Sequence, residues 1–136
     1  MDLEQLEKQE NNPINVLWDD VLMLPVIGMV DSKRAQDIMD IMLEEIERTS
    51  SQFVIMDVRG VVVVDSAVAN HIVKITKATS LMGCTTIISG ITPLVAQSLV
   101  HLGIDLGDIV TTARVSDAFS LALKKLGLSI VKNEQS

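Results

Sequence analysis

The chain has 136 residues, enough for one domain with a real core and too few for two. A net charge of −7 opposes binding to a nucleic-acid backbone or an acidic lipid surface, and two Phe, one Trp and no Tyr leave few platforms on which bases could stack. One cysteine, Cys84, excludes an internal disulfide and a zinc site of several thiolates and fits a reducing cytoplasm, while the acidic N-terminus is no signal peptide and no apolar run approaches the roughly 20 residues of a membrane span.

Residues 1–12 read as a polar lead-in, one or two helical turns with Leu3 and Leu6 on one side, ended by Asn11-Asn12-Pro13. Residues 13–131 form the domain and 132–136 a polar tail. Ile14–Trp18 and Val21–Val26 are strands joined by Asp19-Asp20 as a hairpin turn. Gly28–Val30 is a connector. Asp31 or Ser32 caps a helix whose inner stripe is Ala35, Ile38, Met39, Met42 and Ile46. Phe53–Val58 is an apolar run broken only by Asp57, the pattern of a strand covered on both faces.

Arg59-Gly60 reads as a turn and Val61–Val64 as extended again. Asp65-Ser66 opens a second helix, which runs to about Met82 and stops at Gly83. Cys84–Ser89 is the next strand. Thr92-Pro93 starts a third helix with Val95, Leu99 and Leu102 inward. Asp108–Thr112 is a last short strand, and Ser116 caps a fourth helix with Phe119, Ala122, Leu123 and Leu126 as its stripe. Strands alternating with helices after an initial hairpin predict an α/β domain with a mostly parallel mixed β-sheet flanked by four α-helices.

The stretch Asp57-Val58-Arg59-Gly60-Val61-Val62-Val63-Val64-Asp65-Ser66 carries the chemistry. A helix start has free N–H groups and partial positive charge, so the Ser66 hydroxyl is a physically sensible phosphoacceptor. The residues alone leave a second reading open, in which Asp65 and Ser66 only cap the helix. His71 and His101 have no nearby Cys and no HxxxH spacing, so no metal site is expected. No P-loop or dinucleotide fingerprint is present, and no cofactor is expected. Cys84 reads as a buried small hydrophobe.

DVRGVVVVDSAVANHIV closely resembles the signature of STAS domains, the fold of anti-sigma-factor antagonists. The stretch LMGCTTIISGITPLVAQSLVHLGIDLGDIVTTARVSDAFSLAL resembles the C-terminal domain of stressosome scaffold proteins of the RsbR and RsbS types, and VLMLPVIGMVDSKRAQDIM is closer to the RsbR branch. The resemblance covers about residues 13–128. It implies a STAS (SpoIIAA-like) fold, Ser66 as the phosphoacceptor, and Ser98 in Ala96-Gln97-Ser98 as a second phosphorylated position. It implies a switch region of Asp65, Arg59, Gly60, Ala67 and Val68. Arg59 departs from relatives that carry a small hydroxyl residue there, and could pair with a phosphate, with Asp57 or with Asp65.

The resemblance further implies no enzyme but a regulatory scaffold. Its partners would be a switch serine/threonine kinase, RsbS-like and RsbR-like STAS proteins and copies of itself, with neither nucleic acid nor membrane. RsbR proteins carry a sensory domain ahead of this one, so the chain reads either as a stand-alone scaffold or as one shortened to the STAS domain. Two rivals stand beside this reading. A phosphoaspartate receiver is disfavoured because Asp19-Asp20 leads into a strand instead of a helix. A small-ligand-binding or general anti-sigma-factor antagonist STAS module calls, in its ligand-binding form, for a sizeable apolar pocket.

Overall fold

The computed structural model describes residues 2–63, 67–103, 107 and 109–134. The described elements run in the order α1 (Leu3–Asn11), β1 (Asn15–Trp18), β2 (Val21–Met29), α2 (Ser32–Thr49), β3 (Phe53–Val62), α3 (Ala67–Leu81), β4 (Thr85–Ser89), α4 (Pro93–His101), β5 (Val110–Thr112) and α5 (Val115–Lys125). The five strands form one sheet in sequence order. β1 is antiparallel to β2, and every later neighbour is parallel. The mostly parallel mixed sheet matches the expectation. The fifth helix is α1, where one or two turns were expected.

Each helix starts where its local chemistry allows. In α1, Asp2 Oδ1 accepts from the Gln5 amide at 2.8 Å and Gln5 Oε1 accepts from the Asp2 amide at 3.2 Å, a reciprocal capping box. Asp31 Oδ1 accepts from the Arg34 amide at the head of α2, and Ser50 ends that helix in the left-handed region. Thr92 caps α4, with Pro93 in its first turn. Ser116 does not cap α5. The cap is Arg114, with no side-chain cap bond, because β5 ends at Thr112 and leaves only Ala113 and Arg114 before the helix.

Arg59-Gly60 is not a turn. β3 continues through both residues to Val62, because β2 is also longer than expected and stays paired with it. Register passes from Pro25↔Asp57 to Ile27↔Gly60, so β3 carries one extra residue, a bulge. Pairing then resumes as Gly28↔Val61 and Met29↔Val62, so Gly28–Val30 is no simple connector either. Gly60 serves close approach: a Cβ there would lie 3.0 Å from Ile27 Cγ1. The Asp19-Asp20 turn holds as a hairpin, and the Asp20 carbonyl accepts from the Gln52 and Phe53 amides, tying the turn to the start of β3.

Strand alternation divides the core. Leu22, Leu24, Val26, Val54, Met56, Val58 and Ile88 face the layer of α2, α3 and α4, where Ile38, Met42, Ile72, Ile75 and Val95 meet them. Val21, Phe53, Ile55 and Ile87 face α5 through Ala118 and Ala122. Trp18 extends this second core by an edge contact with Phe119, ring centroids 6.1 Å apart. Past the end of β1, the outer edge of β2 is covered by Arg34, whose guanidinium donates to the Ile27 and Met29 carbonyls and to Asn12 Oδ1. α1 buries no residue and rests on α2 through Lys8, which pairs with Asp37 and Asp40.

Cys84 sits just before β4, 1% exposed, and burial pushes its thiol up to about 12 from an ordinary value near 9.0. The unfolded chain therefore releases this proton first, and stability contributed by the buried thiol falls as pH rises from about 9 towards 12. A thiol-specific reagent at pH 8 is expected to label Cys84 at least ~100-fold faster in denaturant than in the native chain. Fast labelling of the folded chain would contradict the burial.

Candidate functional site

The carboxyl ends of β3, β4 and β5 lie side by side, where α3, α4 and α5 begin. Open parallel sheets gather ligand and partner chemistry at this edge. Asp65 and Ser66 lie outside the described residues. The chain enters that stretch from Val62, which is exposed, and Val63, which packs against the core. It leaves it at Ala67, the first residue of α3.

The polar residues at this edge tie the strand ends together. Ser89, fully buried at the end of β4, donates its hydroxyl to Asp57 Oδ1 of β3 at 2.9 Å. Gly90 follows with φ +72°, and a Cβ there would stand 2.6 Å from Asp57 Oδ1 and 2.8 Å from Arg59 Cβ. The Arg59 guanidinium donates to the Ala113 carbonyl at 3.1 Å, reaching over β4 to the segment that leads into α5. Thr112 Oγ1 donates to the Arg114 carbonyl, and Arg114 holds Asp117 with two bonds of 3.1 and 3.2 Å. That hydrogen-bonded pair lowers the Asp117 carboxyl and raises Arg114.

The sequence-predicted residues separate accordingly. Arg59 is exposed, and its described partner is a backbone carbonyl, so pairing with Asp57 is not what holds it. Alternation from Phe53 and Ile55 puts it on the α5 side of the sheet, where it reaches Ala113. Gly60 is exposed on the strand surface and Ala67 is exposed at the helix start. Val68 is buried at 1% exposure, because the α3 stripe Val68, Ile72 and Ile75 turns onto the sheet. Ser98 lies in α4, half-buried, next to buried Leu99. His101 is exposed in the last turn of α4. His71 is half-buried beside an apolar cleft lined by Val26, Ile38, Met56, Val61 and Ile72.

That cleft has a volume of about 10 Å³, against several hundred for a typical ligand pocket. Larger hollows, of about 400 and 320 Å³, lie along the seam between α1 and α2 and are lined mainly by polar side chains such as Asn12, Arg34 and Glu44. Among the described residues no cluster of His, Cys, Asp and Glu could hold a metal ion, and no helix is long and apolar enough to cross a membrane.

Sequence reading missed the Asp57–Ser89–Gly90 junction and the reach of Arg59. The visible signal was an acid interrupting an apolar strand. Its partner lies 32 residues away and only the sheet register supplies it.

These features define an α/β fold with a mostly parallel sheet whose polar contacts gather at one strand edge. The chain belongs to the STAS domain family, whose pattern matches residues 12–118. It is 34% identical over 130 residues to the RsbT co-antagonist protein RsbRA of Bacillus subtilis, covering 95% of this chain and 47% of that protein. It is 36% identical over 108 residues to RsbRD of the same organism, covering 79% of this chain and 39% of that protein. The chain thus spans about half the length or less of these curated relatives. Among solved structures, a Moorella thermoacetica RsbS variant superposes with a TM-score of 0.71 at 23% identity, over 85% of this chain and 97% of that one. The unphosphorylated anti-sigma factor antagonist SpoIIAA superposes at 0.67 with 16% identity, over 89% and 99%. Both show the fold.

Gly90 offers a direct check on the strand-end junction. Gly90→Ala is expected to cost roughly 3 kcal/mol, from a left-handed backbone plus a clash with Asp57 and Arg59. Gly83→Ala, also left-handed but with nothing within 4 Å of the added carbon, is expected to cost only about 1 kcal/mol. Urea denaturation of the two variants measures the difference, and equal costs would remove the junction's role.

Proposed function

We propose that the chain is a phosphorylation-switched scaffold of a stressosome-type assembly, which holds a switch serine/threonine kinase and releases it when Ser66 is phosphorylated. The observation that carries this reading is the start of α3: the helix begins at Ala67, directly after Asp65-Ser66, at the carboxyl edge of the sheet. A phosphate on Ser66 is favoured by the free amides and positive end of a helix of 15 residues. The name RsbT co-antagonist, borne by relatives, supports an RsbT-like protein as the partner. RsbS-like and RsbR-like STAS domains are the neighbours within the assembly, a setting that the similarity to the RsbR-type co-antagonists supports.

The switch follows from charge. Unmodified, Ser66 carries a neutral hydroxyl in a segment that follows exposed Val62 and precedes exposed Ala67 in the chain, and the kinase binds. Phosphorylation adds about −1.5 to −2 charge next to Asp65 and disfavours the contact. The chain acts as a substrate and catalyses nothing itself.

Ser98 is the second phosphoacceptor, and its position gives it the opposite local effect. It lies three residues before the end of α4, where unpaired carbonyls carry partial negative charge. Phosphate there loosens the last turn of α4, whereas phosphate on Ser66 is held by the start of α3.

Incubation with an RsbT-type kinase and ATP, followed by mass spectrometry, tests the reading. Hydroxylamine-stable phosphate is expected on Ser66, with the main signal lost in Ser66→Ala. Undiminished incorporation in that variant would overturn the assignment.

A further inference from the structure

The helices of this domain are sharply divided by charge. α3 and α4 contain no Asp or Glu, in a chain with a net charge of −7. α3 instead presents Lys74 and Lys77, both exposed, and among the described residues neither takes part in an ion pair. The acids concentrate on α1 and α2. Part of that charge is balanced internally, since Lys8 pairs with Asp37 and Asp40, Lys33 with Asp37, and Arg48 with Glu45. The outer face of α1 is not balanced: Glu7 and Glu10 are exposed and appear in none of these pairs.

Each of these two helices also exposes apolar side chains that the fold leaves uncovered. Leu3 of α1 is 70% exposed, and Leu81 at the end of α3 is 90% exposed. α1 turns Lys8 inward onto α2, which directs Leu3 and Glu10 away from the domain, with Glu7 beside them. On α3, Val68, Ile72 and Ile75 face the core, which leaves Lys74, Lys77 and Leu81 as an outer stripe.

We propose that α1 of one copy docks antiparallel on α3 of a second copy of this chain. The spacing fits residue by residue. From Leu3 the acids follow after four and seven residues, at Glu7 and Glu10, and counting back from Leu81 the lysines stand at the same intervals, Lys77 and Lys74. With a rise of about 1.5 Å per residue in both helices, antiparallel packing sets Leu3 against Leu81, Glu7 against Lys77 and Glu10 against Lys74. A parallel arrangement does not bring these three pairs together. The two leucines supply buried apolar area, and the two ion pairs fix direction and register, the usual division of labour at an interface. Exposed ion pairs contribute little each, so the contact is weak and weakens further with salt. The proposal rests on the reading that the chain assembles with like domains, and it assigns the surfaces. Because α3 starts directly after Ser66, the neighbour's helix lies on the element that carries the switch.

Charge exchange tests it with the full chain alone. Sedimentation velocity at low ionic strength is expected to show concentration-dependent self-association, weakened by added salt. Lys74→Glu/Lys77→Glu and Glu7→Lys/Glu10→Lys are each expected to weaken it roughly tenfold, through lost attraction and added repulsion. An equimolar mixture of the two variants restores it, since every α1–α3 contact is again complementary. Lys124→Glu/Lys125→Glu, on α5 across the sheet, leaves it unchanged. All six substitutions fall on exposed side chains, and circular dichroism confirms that each variant is folded. A wild-type chain that stays monomeric overturns the proposal, as does association that is indifferent to both reversals, or a mixture without rescue. If copies associate but the reversals have no effect, assembly stands and this surface falls. The fate of Ser66 is read separately by its phosphorylation.

Discussion

The register of β3 against its two parallel neighbours is the constraint from which the rest of the domain follows. β3 is buried on both faces over Phe53–Met56, with β2 on one side and β4 on the other. One extra residue at Val58-Arg59 divides the strand into two parts. Before it, alternation feeds two cores. After it, Val61 turns to the core, and Gly60 and Val62 are exposed beside Ile27 and Met29. A shift of one residue would exchange the two faces and send the polar side chains of the strand end into the core.

The strand ends are then locked by a small number of polar contacts in place of an apolar plug. Asp57, Ser89 and Gly90 bring β3 and β4 together closely enough that a single methyl group would not fit. Arg59 continues the tie to the segment before α5. A tightly packed edge of this kind would suit the proposed switch, because a charge added at the head of α3 would meet a scaffold with little freedom to absorb it.

Charge is distributed on a coarser scale. Acids gather on α1 and α2, while α3 and α4 carry none, so one end of the helical layer is negative and the other presents only lysine and histidine. A net charge alone does not reveal this. It emerges when the helices are set side by side, and it gives the domain two chemically distinct flanks from one composition.

Much of the fold was legible in the sequence because the relevant signals are local. Periodic apolar stripes marked α2 and α5, Thr92-Pro93 marked the head of α4, and the glycines at 83 and 127 marked stops. The apolar run from Phe53 announced a strand covered on both faces, and the signature around Ser66 announced the family. What the sequence could not determine was non-local. Arg59-Gly60 has the look of a turn, and only pairing with a longer β2 keeps it extended. Val68 has the look of a surface neighbour of the switch, and only the packing of α3 on the sheet makes it core. Asp57 gains its meaning from Ser89, and Arg59 from Ala113, both brought near by strand order. Local propensity and periodicity fixed which segments became helices and strands, while the tertiary structure decided which side chains meet, because contacts across a parallel sheet join residues far apart in the chain.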